Sequence, residues 1–80
     1  MHFTYILKSL KDGKYYYGST SDIDNRIVHH NSGKVKSTRN RRPLKLHYQE
    51  QFNIKKEAEA RERFFKTIDG YIWLKENRII

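Results

Sequence analysis

Four side chains stand in a suggestive order: Tyr5 in Phe3-Thr4-Tyr5, Tyr16 in Tyr16-Tyr17-Gly18, Arg26 in Asp24-Asn25-Arg26, and Glu62 in Arg61-Glu62-Arg63-Phe64-Phe65-Lys66. None is distinctive alone, since tyrosine in a strand and glutamate on a helix are ordinary. Together, phenolic hydroxyls, one guanidinium and one carboxylate are a sufficient set for metal-assisted phosphodiester hydrolysis. A guanidinium can hold a phosphate and stabilise the charge that develops on it. A carboxylate can hold a hard cation, and a hydroxyl can orient or deprotonate the attacking water.

Each position also has a plainer reading. Glu62 lies four residues after Ala58 and three before Phe65, so a helix puts its carboxylate on the inward face. A charge there needs a partner. That partner is either a structural counter-ion, such as an arginine of the first helix, or Mg2+ or Mn2+, which accept one or two protein carboxylates and fill their shell with water and phosphate oxygens. Glu57 and Glu59 fall off the inward stripe, and Glu50 is a weaker competitor. Arg26, at the edge of an apolar stripe, is either a surface or ion-pairing residue or a phosphate clamp. His30 is either a half-buried packing residue or a group that holds phosphate or moves a proton. A tyrosine titrating near ~10 is a poor base unless a cation lowers that value, so plain core packing competes at Tyr5 and Tyr16. Tyr15 and Tyr17 point to the other face and suit packing or base stacking.

The chain has 80 residues, which predicts one domain over 1–80, and no cysteine. With neither a disulfide nor a thiolate metal site, eleven aromatic residues must supply much of the core. There is no Gly-rich phosphate loop and no zinc spacing among the four histidines, and no small-molecule cofactor is expected. No stretch reaches the ~20 apolar residues of a membrane span, and no secretory leader is evident, so a soluble cytoplasmic protein is expected.

Charge is more informative. Seventeen Lys and Arg against nine Asp and Glu give +8, unevenly distributed. No acid occurs from Asn25 to Gln49, a segment holding Arg26, Lys34, Lys36, Arg39, Arg41, Arg42 and Lys45. One-signed charge repels itself unless an anion shares the surface. A nucleic-acid backbone is the commonest such anion, which makes DNA the expected partner, with RNA also admissible; a solubilising loop is the plain alternative.

The elements that must position these groups follow from periodicity. His2–Lys8 and Tyr15–Thr20 read as strands, and Asp12-Gly13 between them predicts an antiparallel hairpin. Ser21-Asp22 offers a helix cap, Ile23, Ile27 and His30 recur at helical spacing, and Gly33 offers a stop, which predicts a helix near Asp22–Asn31. Ser32–Arg42 reads as loop, and Leu44, Leu46 and Tyr48 alternate in a third strand reaching about Phe52. A helix is expected over Lys55–Thr67, with Ala58, Phe65 and Ile68 on one face. Asp69-Gly70 is expected to interrupt it before a third helix over Tyr71–Arg78, where Tyr71, Trp73 and Leu74 close the core. The order β-β-α-β-α-α predicts an α+β fold, a small sheet against helices.

As an ordered set, these segments resemble the GIY-YIG endonuclease family, specifically its small standalone members. Phe3-Thr4-Tyr5 stands for the first triplet and keeps its tyrosine. Tyr16-Tyr17-Gly18 stands for the second and keeps tyrosine and glycine. Asp24-Asn25-Arg26, His29-His30-Asn31-Ser32-Gly33, Arg42-Pro43-Leu44 and Ala60-Arg61-Glu62 with Lys66 are similar to the remaining motifs. The resemblance implies a three-stranded antiparallel sheet flanked by helices and one divalent-metal-dependent active site that cuts DNA. In it Tyr5 is the base or water-orienting hydroxyl, Tyr16 helps place the phosphate or nucleophile, Arg26 holds the scissile phosphate, Glu62 binds Mg2+ or Mn2+, and His30 assists. Lys34, Lys36, Arg39, Arg41, Arg42 and Lys45 are the expected nucleic-acid-binding residues. Phe3, Thr4 and Tyr17 depart from the triplets, adding bulk near the site while leaving every candidate catalytic side chain in place.

Overall fold

Asp12-Gly13 closes the hairpin as expected, with Gly13 at φ 73°, where a glycine is favoured. The computed structural model describes residues 1–80. Strand β1 (His2–Ser9) pairs antiparallel with β2 (Tyr15–Thr20) on one side and with β3 (Leu44–Phe52) on the other, so β1 is central. Ser9 anchors the turn: its hydroxyl accepts the Lys11 and Asp12 amides and donates to the Arg41 carbonyl. Helix α1 (Ile23–Asn31) begins on Asp22, whose carboxylate accepts the Asn25 amide at 3.1 Å, and Gly33 ends it at φ 81°. Helices α2 (Lys55–Phe65) and α3 (Ile68–Glu76) complete the α+β order β-β-α-β-α-α.

Side chains alternate across a strand, so β1 feeds two cores. Its odd residues Tyr5 and Leu7 pack with Leu44, Leu46, Tyr16, Ile23 and Ile27 under α1. Its even residue Ile6 packs with Phe65 and Leu74, joined by Tyr15, Tyr17, Tyr48, Trp73 and the terminal Ile79 and Ile80. The helices therefore divide between the two faces, α1 on one and α2 with α3 on the other. Tyr15 and Tyr17 turn out to be packing residues of the second core.

Several local expectations need correction. The alternation assumed through β3 breaks at His47: Leu7 pairs with Leu46 but Ile6 pairs with Tyr48, so His47 is a bulge residue. The bulge sends Tyr48 to the α2–α3 face rather than the Leu44–Leu46 face. Helix α2 stops at Phe65 rather than Thr67, because Thr67 caps α3 by accepting the Gly70 amide at 3.0 Å. Asp69-Gly70 thus lies inside the first turn of α3, and Ile68, expected on the inward face, is 79% exposed. Tyr71, expected to close the core, is also exposed, whereas Leu74 is fully buried.

Arg61 pins the second core. Its guanidinium contacts both Glu50 oxygens at 2.7 and 3.2 Å and lies 4.3 Å from the Trp73 ring centre, with the Phe64 and Phe65 rings close by. Tyr48 donates its hydroxyl to the same carboxylate.

The α2–α3 corner depends on Gly70, where a methyl group would sit 1.8 Å from the Phe64 carbonyl oxygen. Gly70→Ala is expected to destabilise the protein by about 1–3 kcal/mol, the usual cost of overpacking a site that cannot relax freely. Denaturant unfolding measures it, and an unchanged midpoint would contradict the close packing.

Candidate active site

Gly18 makes room for the central phenol. It pairs with Tyr5 across β1 and β2, and a methyl group there would lie 2.4 Å from the Tyr5 hydroxyl oxygen. Residues opposite one another share a face, so Tyr16, paired with Leu7, joins Tyr5 beneath α1. The two phenol rings stand 6.5 Å apart between centres. His30 enters from the last turn of α1, its ring centre 6.0 Å from Tyr5 and 5.0 Å from Tyr16.

Hydrogen bonds order this cluster. The Tyr5 hydroxyl lies 3.0 Å from His30 Nε2, and His30 Nδ1 lies 2.7 Å from the Thr38 hydroxyl. The Thr38 hydroxyl is directed at the Val35 carbonyl, a long contact at 3.5 Å. With its proton directed there, Thr38 accepts from Nδ1–H. Nε2 is then the bare nitrogen, and Tyr5 donates to it. Tyr5, His30 and Thr38 are all essentially solvent-free.

That environment suppresses charge. Burial, reinforced by Tyr16, pushes the Tyr5 phenol up to about 12, against the pull of the Arg26 guanidinium, while Glu62 adds a smaller upward push. Burial, helped by Arg26 and then His29, lowers His30 to about 4. Arg26, half-buried on α1, thus acts on both members of the pair, and Glu62 on α2 lies close enough for its charge to reach the phenol. Tyr5, Tyr16, Arg26, His30 and Glu62, drawn from four elements, influence one locality.

Glu62 does not pair with an arginine of α1. Its Oε2 accepts from Lys66 Nζ at 2.8 Å, one turn along α2, and Lys66 is more than half exposed. Glu50, the competing carboxylate, is committed to Arg61 and Tyr48. No cluster of three or more His, Cys, Asp or Glu forms a ready metal cage.

Among the expected nucleic-acid contacts, Lys34, Lys36, Arg39, Arg42 and Lys45 are exposed. Arg41 differs: it bonds Asp12 at 3.2 Å and the Tyr15 carbonyl, tying the loop to the hairpin. Two further residues order this region, Thr38 with no signal in the sequence and Asn31 noted only within the His29–Gly33 motif. Thr38 is an isolated threonine in an irregular stretch, yet it fixes the His30 ring. Asn31 clamps the start of β3, bonding the Leu44 carbonyl at 2.8 Å and its amide at 2.7 Å.

The chain has known relatives. The GIY-YIG catalytic domain family matches residues 1–69. UPF0213 proteins from Bacillus pumilus and Staphylococcus saprophyticus are each 49% identical over 67 residues, spanning 82% of this chain and 67% and 80% of their own lengths. A UPF0213 protein from Halobacterium salinarum is 41% identical over 85% of this chain and 88% of its own. The solution NMR structure of a UPF0213 protein from Bacillus halodurans superposes with a TM-score of 0.54 at 40% identity, covering 94% of this chain and 82% of that one. The chain belongs to the GIY-YIG family, a family of nucleases. No helix is long and apolar enough to cross a membrane.

The buried neutral His30 has a consequence for stability. Its folded value near 4 lies below the ~6.5 of an unfolded histidine, so between those pH values the unfolded chain binds the extra proton. Stability is expected to fall as pH drops from about 6.5 to about 4, by up to ~3 kcal/mol from this residue. Replacing it by asparagine (His30→Asn) should remove that portion of the acid loss. Equal pH dependence in both proteins, measured by denaturant unfolding, would contradict the buried neutral histidine.

Proposed function

We propose that residues 1–80 form one nuclease unit that hydrolyses phosphodiester bonds in DNA, in structured, damaged or single-stranded form, with Mg2+ or Mn2+ as cofactor and the cytoplasm as its setting. The observation that carries this reading is the bonded chain Tyr5–His30–Thr38 within the fields of Arg26 and Glu62. A binding surface alone needs no buried phenol–imidazole pair.

The proton chemistry follows from the environment. A phenol held near 12 does not ionise freely at neutral pH, and an imidazole held near 4 stays neutral, a hydrogen-bond acceptor but a weak base. Tyr5 therefore acts without becoming a free phenolate. Its oxygen accepts a hydrogen bond from the attacking water and orients it, while its own proton stays hydrogen-bonded to His30 Nε2. Thr38 keeps His30 in the tautomer that accepts that bond. Arg26 holds the scissile phosphate and stabilises the negative charge that grows there. Tyr16, at the wall of the same cluster, positions the phosphate or the water.

Glu62 suits a hard cation. Lys66 engages only Oε2, and an ion pair whose lysine is this exposed is weak enough to exchange. One carboxylate completed by phosphate oxygens and water fits Mg2+ or Mn2+, whereas zinc would want more nitrogen or sulfur ligands. A cation held there would supply positive charge beside the phosphate and the leaving oxygen.

Glu62→Gln keeps size and shape but removes the charge that holds the cation. Single-turnover cleavage with Mg2+ or Mn2+ is expected to fall by at least ~10²-fold, while DNA affinity without metal holds or rises. Cleavage at the wild-type rate would rule out Glu62 as the ligand. If the wild-type protein cuts no DNA or RNA form with either metal, the chain is instead a nucleic-acid-binding module using the same basic surface.

A further inference from the structure

Three basic side chains meet in a hollow separate from the tyrosine cluster. Lys11 from the β1–β2 hairpin, Arg39 and Arg42 from the loop, and Asn31, Asn40 and Pro43 line an open concavity of about 440 Å³ with no acidic residue in its wall. The cations are held by carbonyl oxygens. Arg39 Nε donates to the Gly33 carbonyl at 3.0 Å, Arg42 Nε to the Arg39 carbonyl at 2.8 Å, and Lys11 Nζ to the Asn40 carbonyl at 3.1 Å. The other anchored cations of the molecule are neutralised instead: Arg41 by Asp12, Arg61 by Glu50 and Lys66 by Glu62.

That contrast is the key observation. A carbonyl fixes a guanidinium in place without cancelling its charge, and bonding through Nε leaves the terminal nitrogens of both arginines to form a fork toward a tetrahedral anion. The Arg42 guanidinium also lies against Gly33, where a methyl group would sit 2.8 Å from one of its terminal nitrogens. Three uncompensated positive charges gathered at one hollow repel one another, and an anion placed there would relieve that repulsion.

We propose that this hollow binds one backbone phosphate of the nucleic-acid strand, next to but distinct from the phosphate at the tyrosine cluster. The inference rests on the nucleic-acid substrate put forward above. The two sites adjoin through consecutive residues of α1, His30 bonding the phenol and Asn31 lining the hollow. A strand anchored at Arg39 and Arg42 is registered against Tyr5, giving a chain this small a second grip on its substrate.

The test needs no divalent metal, so it is independent of whether the protein cuts. Inorganic phosphate is titrated while the arginine Nε–H resonances are followed by NMR. Saturable shifts confined to Arg39 and Arg42 are expected, and absence of any saturable change up to about 50 mM, where affinity becomes negligible, would overturn the site. An oligonucleotide lacking terminal phosphates should compete for the same resonances. If only a terminally phosphorylated oligonucleotide or the free ion competes, the backbone assignment is wrong. The Arg39→Gln/Arg42→Gln double variant should bind single-stranded oligonucleotide at least tenfold more weakly. Its log–log salt slope should fall by only ~0.7, since two charges grip one phosphate. A charge-matched control at the start of α2, the Lys55→Gln/Lys56→Gln double variant, should lose less than threefold. Equal losses from both doubles would mean diffuse attraction and overturn the proposal while leaving the nuclease reading intact. Should the arginine variant lose its fold, the titration of the wild-type protein decides alone.

Discussion

The close approach of Tyr5 to Gly18 is the constraint from which the rest of the site follows. A phenol in the central strand, facing α1, can reach His30 only because the residue opposite has no side chain. Once there, its hydroxyl is removed from bulk solvent and needs a partner within the protein, because a buried unpaired hydroxyl is expensive. His30 satisfies it, and Thr38 in turn satisfies His30. No buried side-chain nitrogen or oxygen in the protein lacks a partner. The same burial that demands these bonds keeps both rings neutral, so the phenol stands as a fixed, uncharged hydroxyl rather than a phenolate.

Charge elsewhere is sorted with equal consequence. Glu50 is consumed by Arg61 and Tyr48, locking β3 to the aromatic face of α2 and α3. Asp12 is consumed by Arg41, tying the loop to the hairpin. Glu62 alone among the ion-paired carboxylates faces an exposed, exchangeable lysine and also acts on the Tyr5 phenol. Apart from Arg41, the basic surface between α1 and β3 is left without an internal ion pair, which suits a polyanion.

Much of this was legible in the sequence, and the exceptions have physical reasons. The hairpin, the Asp22 cap, the Gly33 stop and the element order all rest on local signals, and all appear in the structure. The His47 bulge left no trace, because a strand that changes face still reads as alternating apolar residues on either side of the irregularity. The boundary between α2 and α3 was misplaced because Asp69-Gly70 looks like a breaker. The true break is the Thr67 cap, and Gly70 serves close helix packing instead. Within the site, Tyr5, Tyr16, Arg26, His30 and Glu62 could be picked out by type and order. Thr38 could not, since its role exists only through a contact eight residues back in the chain that an irregular loop makes. Likewise Arg41 looked like its neighbours until Asp12 proved to be its partner.

Removing the Tyr5 hydroxyl alone tests most directly whether this cluster is catalytic. Tyr5→Phe keeps the ring over Gly18 and the packing beneath α1, yet breaks the path from water to His30. Single-turnover cleavage of a labelled oligonucleotide at saturating protein with Mg2+ or Mn2+ is expected to fall by at least ~10²-fold, the order of cost when a reacting group is misplaced, with affinity unchanged. A Tyr5→Phe protein that cuts as fast as wild type would contradict the central role assigned to this phenol.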